Sequence, residues 1–83
     1  MMKPTIHLNG TSKGRLLDGY TEAALAIRHA MDKLAETAPN GRDYYPQGPD
    51  AIGKATNEHS ERMAKLRSLL ADMSALAVHV CDG

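Results

Sequence analysis

Within six residues, Arg42, Asp43, Tyr44, Tyr45 and Gln47 bring together a fork of donors, a carboxylate, two aromatic faces and an amide. That mixture suits a planar, phosphorylated ligand. A guanidinium pairs with phosphate through two parallel hydrogen bonds, and a phenol ring stacks on a base. The same residues also suit a purely structural role, with Tyr44 and Tyr45 closing the end of a core and Arg42 pairing with Asp43. The surrounding segment, Ala38–Pro49, contains three prolines and two glycines, which exclude a continuous helix. Asn40-Gly41 suits a tight turn, and Pro46 fixes its own φ while restricting Tyr45. Stiff connections of this length commonly carry function.

A second candidate is Asn9-Gly10-Thr11-Ser12-Lys13, where an Asn-Gly turn runs into a predicted helix capped by Thr11 or Ser12. Free backbone N–H groups, hydroxyls and a lysine make Asn9, Thr11 and Lys13 candidate anion ligands, although an ordinary cap accounts for the same residues. The glycine and lysine order is not that of a P-loop. The histidines carry less. His59 falls within an apolar stripe and reads as a packed, hydrogen-bonded side chain; His29 and His79 read as surface or helix-end residues. No histidine pair has the i, i+4 spacing of a helix-borne zinc site, so no metal or other cofactor is expected. Cys81 is the only cysteine, which excludes an internal disulfide framework, and it lacks a partner that would make it a nucleophile.

The elements that must position these residues follow from apolar spacing. Leu16, Tyr20, Ala24, Ile27, Met31 and Leu34 recur at steps of three and four, predicting a helix over 13–37, with Gly14 and Gly19 weakening its first turns. Ile52, Ala55, His59, Met63, Leu66, Leu70, Met73, Ala77 and Val80 continue the same period, predicting a helix over 51–80 with Asp50 as N-cap. Thr5-Ile6-His7-Leu8 alternates like a brief strand. Charged residues at i, i+4, such as Arg28/Asp32, Glu58/Arg62 and Glu61/Lys65, read as solvated faces. The expectation is a single all-α domain over 1–83: an extended arm (1–12), a helix, a loop (38–50) and a second helix, folded as an antiparallel hairpin.

Composition bounds the partners. With 10 Lys+Arg against 10 Asp+Glu in 83 residues, the chain lacks the cationic surplus that coats DNA or RNA or holds an anionic membrane. No apolar run approaches a membrane span, and the first residues lack a signal-peptide core, so a cytoplasmic protein is expected. A lone core of this size supplies only about 3–5 kcal/mol. Leu17, Ala23, Leu69 and Leu76 would stay partly wet on a single hairpin, so a homodimer or higher helical-bundle oligomer is expected. The two candidate segments lie at opposite ends of one hairpin, and only an antiparallel partner could bring them together.

Ile6-His7-Leu8-Asn9-Gly10-Thr11-Ser12 and Asn40-Gly41-Arg42-Asp43-Tyr44-Tyr45-Pro46-Gln47-Gly48, separated by a helix, resemble segments of short uncharacterised proteins of tailed-phage and prophage genomes. The resemblance spans most of the chain and implies a viral or prophage origin. More loosely, an oligomer of small helical hairpins is similar in architecture to phage sponge proteins, which sequester cyclic nucleotide signals of bacterial immunity. The expected function is therefore non-enzymatic: capture of a nucleotide-derived signal, a cyclic nucleotide or ADP-ribose derivative, between subunits in the host cytoplasm. Asn9, Thr11, Lys13, Arg42, Asp43, Tyr44, Tyr45 and Gln47 would be the ligand set. The alternative is an inhibitor or adaptor that grips a host protein through the tyrosine loop or the helical faces. An enzyme cleaving such a signal ranks last, because no base and nucleophile can be named.

Overall fold

The computed structural model describes residues 1–7 and 10–83. It contains α1 (Lys13–Ala35), a single helical turn α2 (Gly41–Tyr44) continued by a 3₁₀ turn (Tyr45–Gln47), and α3 (Ala51–Asp82). The two long helices pack against one another as a hairpin. Among the described residues there is no strand.

Each helix end has a local cause. Ser12 caps α1: its Oγ accepts from the Arg15 N–H at 3.2 Å, which satisfies one of the orphan donors of the first turn. With that cap in place, Gly14 and Gly19 do not delay the start. The helix ends at Ala35, two residues before the expected Thr37. The Thr37 hydroxyl donates to the Leu34 carbonyl at 2.7 Å, and Pro39 disfavours helical backbone at Ala38. Asp50 does not cap α3. Its backbone is already helical, and its side chain makes no capping bond. The helix then continues past Val80 to Asp82, because nothing before Gly83 breaks it.

Both stripes face the seam. Leu16, Ile27, Met31, Leu34, Met63, Leu66, Leu70 and Met73 are all half-buried. Among the described residues full burial is confined to Ala55, Leu76 and Val80, with Val80 at 0% exposure. Tyr20 and Ala24 share a groove with Ser74 and Ala77, which sets the register. Ala24 lies about level with Ala77, so Ala35 falls about level with Leu66. The first four turns of α3 therefore run on past α1 for about 20 Å at 1.5 Å per residue. The connection folds back over this overhang, and α2 and the 3₁₀ turn both touch α3. Its length is explained by the unequal helices it joins.

The arm is tied to the other end. The Pro4 carbonyl accepts from His79 Nε2 at 3.0 Å, a bond between residues 75 apart in sequence. Of the expected strand, Thr5–His7 are not paired in a sheet and Leu8 lies outside the described residues. Among the described residues there is no second strand, and the arm's backbone bonds to a helical side chain instead. Leu76, expected to be partly wet, is only 8% exposed at this end, whereas Leu69 keeps 45% exposure. Leu17 and Ala23 are half-buried.

The molecule measures 61 × 20 × 18 Å, with a radius of gyration of 18.3 Å, against about 12 Å for a compact domain of this length. Its accessible surface is 6252 Å², against about 4,900 Å² for a typical folded monomer of the same mass. No helix among the described residues is long and apolar enough to cross a membrane. Two ion pairs close on the helical surface, Glu58–Arg62 at 3.6 Å and Lys33–Glu36 at 3.8 Å. Arg28/Asp32 and Glu61/Lys65 do not close, as solvated side chains at this spacing gain only tenths of a kcal/mol from pairing.

Candidate functional site

The tip of the overhang gathers most of the chemistry read from the sequence. Asn40 and Gly41 do not form a two-residue turn; Asn40 is the N-cap of α2. Its Oδ1 accepts from the Asp43 N–H at 3.1 Å, and its Nδ2 donates to Asp43 Oδ2 at 3.0 Å. Asp43 is thereby committed to the loop's own architecture. The expected structural pair of Arg42 with Asp43 does not form; Asp43 bonds Asn40 instead. Gly48 closes the segment at φ +109, with its N–H reaching the Tyr45 carbonyl at 3.4 Å. That backbone region is almost exclusive to glycine, which explains the residue at this position. The Tyr45–Pro46 peptide is trans.

A single helical turn points adjacent residues in different directions. Tyr44 turns onto the start of α3 and is half-buried, bordering Ala51 and Ala55. Tyr45 points away and is 85% exposed. Arg42, three residues before Tyr45 and so on the same side of the turn, is exposed and makes no ion pair or hydrogen bond among the described residues. The two tyrosines therefore divide the roles between them. Tyr44 takes the structural one, and the exposed pair Arg42 and Tyr45 is available to a ligand.

Two open clefts flank Tyr44. One, of about 590 Å³, is walled by Tyr45, Pro46, Pro49 and Ile52 and is mainly apolar. The other, of about 460 Å³, carries Gln47, Asp50, Lys54 and Glu58 and so mixes both signs of charge. Asp50 and Glu58 were expected only as a cap and as half of a surface pair, and Lys54 not at all, although their i, i+4 spacing places all three on one helical face. Gln47 is exposed at the rim.

Of the remaining candidates, Thr11 and Lys13 are exposed at the opposite end of a molecule 61 Å long. Within one chain they share nothing with the tip. Asn9 lies outside the described residues. His59 is half-buried as expected, but it makes no side-chain hydrogen bond among the described residues. His79, read as a helix-end residue, holds the arm. No group of three His, Cys, Asp or Glu residues converges as metal ligands among the described residues. Comparison with protein-family models, with curated proteins and with solved structures finds no match to this chain.

Proposed function

We propose that this chain is a non-enzymatic binding protein that captures a nucleotide-derived signal at its tip, with a second copy completing the site. The observation that carries the reading is the pairing of an unpartnered Arg42 guanidinium with the exposed Tyr45 ring on one side of a stiff turn. Arg42 would hold phosphate and Tyr45 would stack on a base. Gln47 would add hydrogen bonds from the rim. Tyr44 and Asp43 support the turn and drop out of the contacting set. Both clefts are open on a single copy, so a partner's surface is needed to close one around a small ligand. The resemblance to tailed-phage proteins implies a viral origin and the host cytoplasm as the place of action, and the looser architectural likeness to phage sponge proteins suggests signals of bacterial immunity as the ligand class.

A panel of cyclic dinucleotides and ADP-ribose derivatives tests this by thermal shift. A ligand at about 100 times its Kd stabilises the folded protein by about 2.7 kcal/mol. One class should raise the melting temperature, and Arg42→Ala or Tyr45→Ala should cancel the rise. No shift with any of them would remove the reading. The apolar lining of the cleft beside Tyr45 favours a second reading, an adaptor that seats a host protein's apolar side chain there. In that case Tyr45→Ala abolishes capture of the host protein, and nucleotides leave the melting temperature unchanged.

A further inference from the structure

The groove between α1 and α3 that holds Tyr20 and Ala77 is flanked by Leu25 and Arg28 on α1 and by Ser74 on α3. Leu25 and Val78, each 59% exposed, are among the most exposed large apolar side chains of the helices. At about 100° per residue, Val78 falls on the same flank of α3 as Thr56, Ser60, Ala71 and Ser74. Arg67 and Asp82 are the charged residues of that flank, and Lys3 of the arm borders it beside Ser74 and Val78. The arm borders the C-terminal end of this flank at Lys3, whereas Thr56, Ser60, Arg67 and Ala71 are exposed along the rest of it.

We infer that this flank is the seat of a second copy of the chain, packed antiparallel with its two-fold axis passing between Arg28 and Asp32. The occupant follows from area. Each copy exposes roughly 1,400 Å² more than a typical monomer of its mass, so two copies together match the 2,000–5,000 Å² buried by obligate homodimers. The axis follows from charge. Arg28 and Asp32 sit one turn apart and leave each other unpaired. A two-fold axis between them lets Arg28 meet the partner's Asp32 and the reverse, as a self-complementary interface requires.

The register then has a consequence for the tip. With Ala24 level with Ala77, the Arg28–Asp32 turn lies about level with Ala71, close to mid-length. A two-fold axis there carries the tip of one copy to within about a helical turn of Thr11–Lys13 of the other. This deepens the proposed function by naming what completes the site: a lysine and the cap of the partner's α1, placed opposite Arg42 and Tyr45.

Native mass spectrometry and sedimentation at micromolar concentration should give twice the 9.0 kDa chain mass. Leu25→Glu and Val78→Glu should each weaken the dimer by about tenfold or more, since each buries a charge. Leu69→Glu, on the opposite flank, should leave it intact. Arg28→Asp should weaken it, and Arg28→Asp combined with Asp32→Arg should restore it. Helical circular dichroism checks each fold, and Ser74→Arg replaces any variant that unfolds. A monomer, a dimer lost only through Leu69→Glu, or a charge swap without recovery would each overturn the inference. Arg42→Ala and Tyr45→Ala should remain dimeric, so failure of nucleotide capture is separable from failure of assembly.

Discussion

Replacing each tyrosine of the tip by alanine separates structure from binding. A tyrosine side chain offers about 200 Å² of surface, and burial is worth about 25 cal/mol per Å². Tyr45 is 85% exposed, so it buries roughly 30 Å² and Tyr45→Ala should cost about 0.7 kcal/mol. Tyr44 is half-buried on the first turns of α3. Removing it strips roughly 100–150 Å² of contact, about 2–3 kcal/mol after allowing for a denatured chain that is already partly collapsed. Each kcal/mol moves the melting temperature of a domain this size by about 4–8 °C. Tyr44→Ala should therefore lower it by roughly 10–20 °C, and Tyr45→Ala by less than about 6 °C. Thermal and urea unfolding of both variants measure the difference. Equal losses would show that both rings pack inward, which would refute the assignment of Tyr45 to ligand.

Gly48→Ala meets open space at the new Cβ but must hold φ near +109. It should cost about 1–3 kcal/mol of backbone strain in urea unfolding; a neutral outcome would mean the turn is not closed this way. His79→Ala removes the hydrogen bond to the Pro4 carbonyl. It should cost about 1 kcal/mol and speed amide exchange at Leu76 and Val80, and unchanged exchange there would dissociate the arm from their burial.

The parts of the fold that depend on local chemistry were legible in the sequence. The stripe from Leu16 to Leu34 and the longer one from Ile52 to Val80 mark the apolar face of each helix because period alone fixes it. A cap at Thr11 or Ser12 was legible for the same local reason, and the structure places it at Ser12. Axial offset was not legible: a stripe tells which side meets a partner, and nothing in it says how far one helix slides along the other. The overhang of α3, the folding back of the connection and the opposite fates of Tyr44 and Tyr45 all depend on that offset. So does the distance between Lys13 and Arg42. Asn40 and Asp43 are a different case. Their spacing of three is a capping signal, but Asn-Gly also signals a turn, and only the geometry decides between them. The arm escaped because its anchor lies at the far end of the chain.

The mismatch in helix length is what makes the connection a candidate site, and it can be tested by shifting where α1 ends. Thr37 and Pro39 together stop that helix, through the hydroxyl bond to Leu34 and the restriction on Ala38. Thr37→Ala with Pro39→Ala removes both stops, and alanine regains propensity worth up to about 3 kcal/mol at the former proline. α1 should then lengthen by about one turn, up to the N-cap at Asn40. That turn rises only about 1.5 Å per residue where the extended chain spans about 3.3 Å. The tip can no longer reach the start of α3, and Tyr44 should be drawn off Ala55. The expected signature is a gain in helical circular dichroism together with a loss of nucleotide response and of slow exchange around Ala55. Gained helix with the tip undisturbed would mean that the connection has slack to spare, and its length would then need another cause.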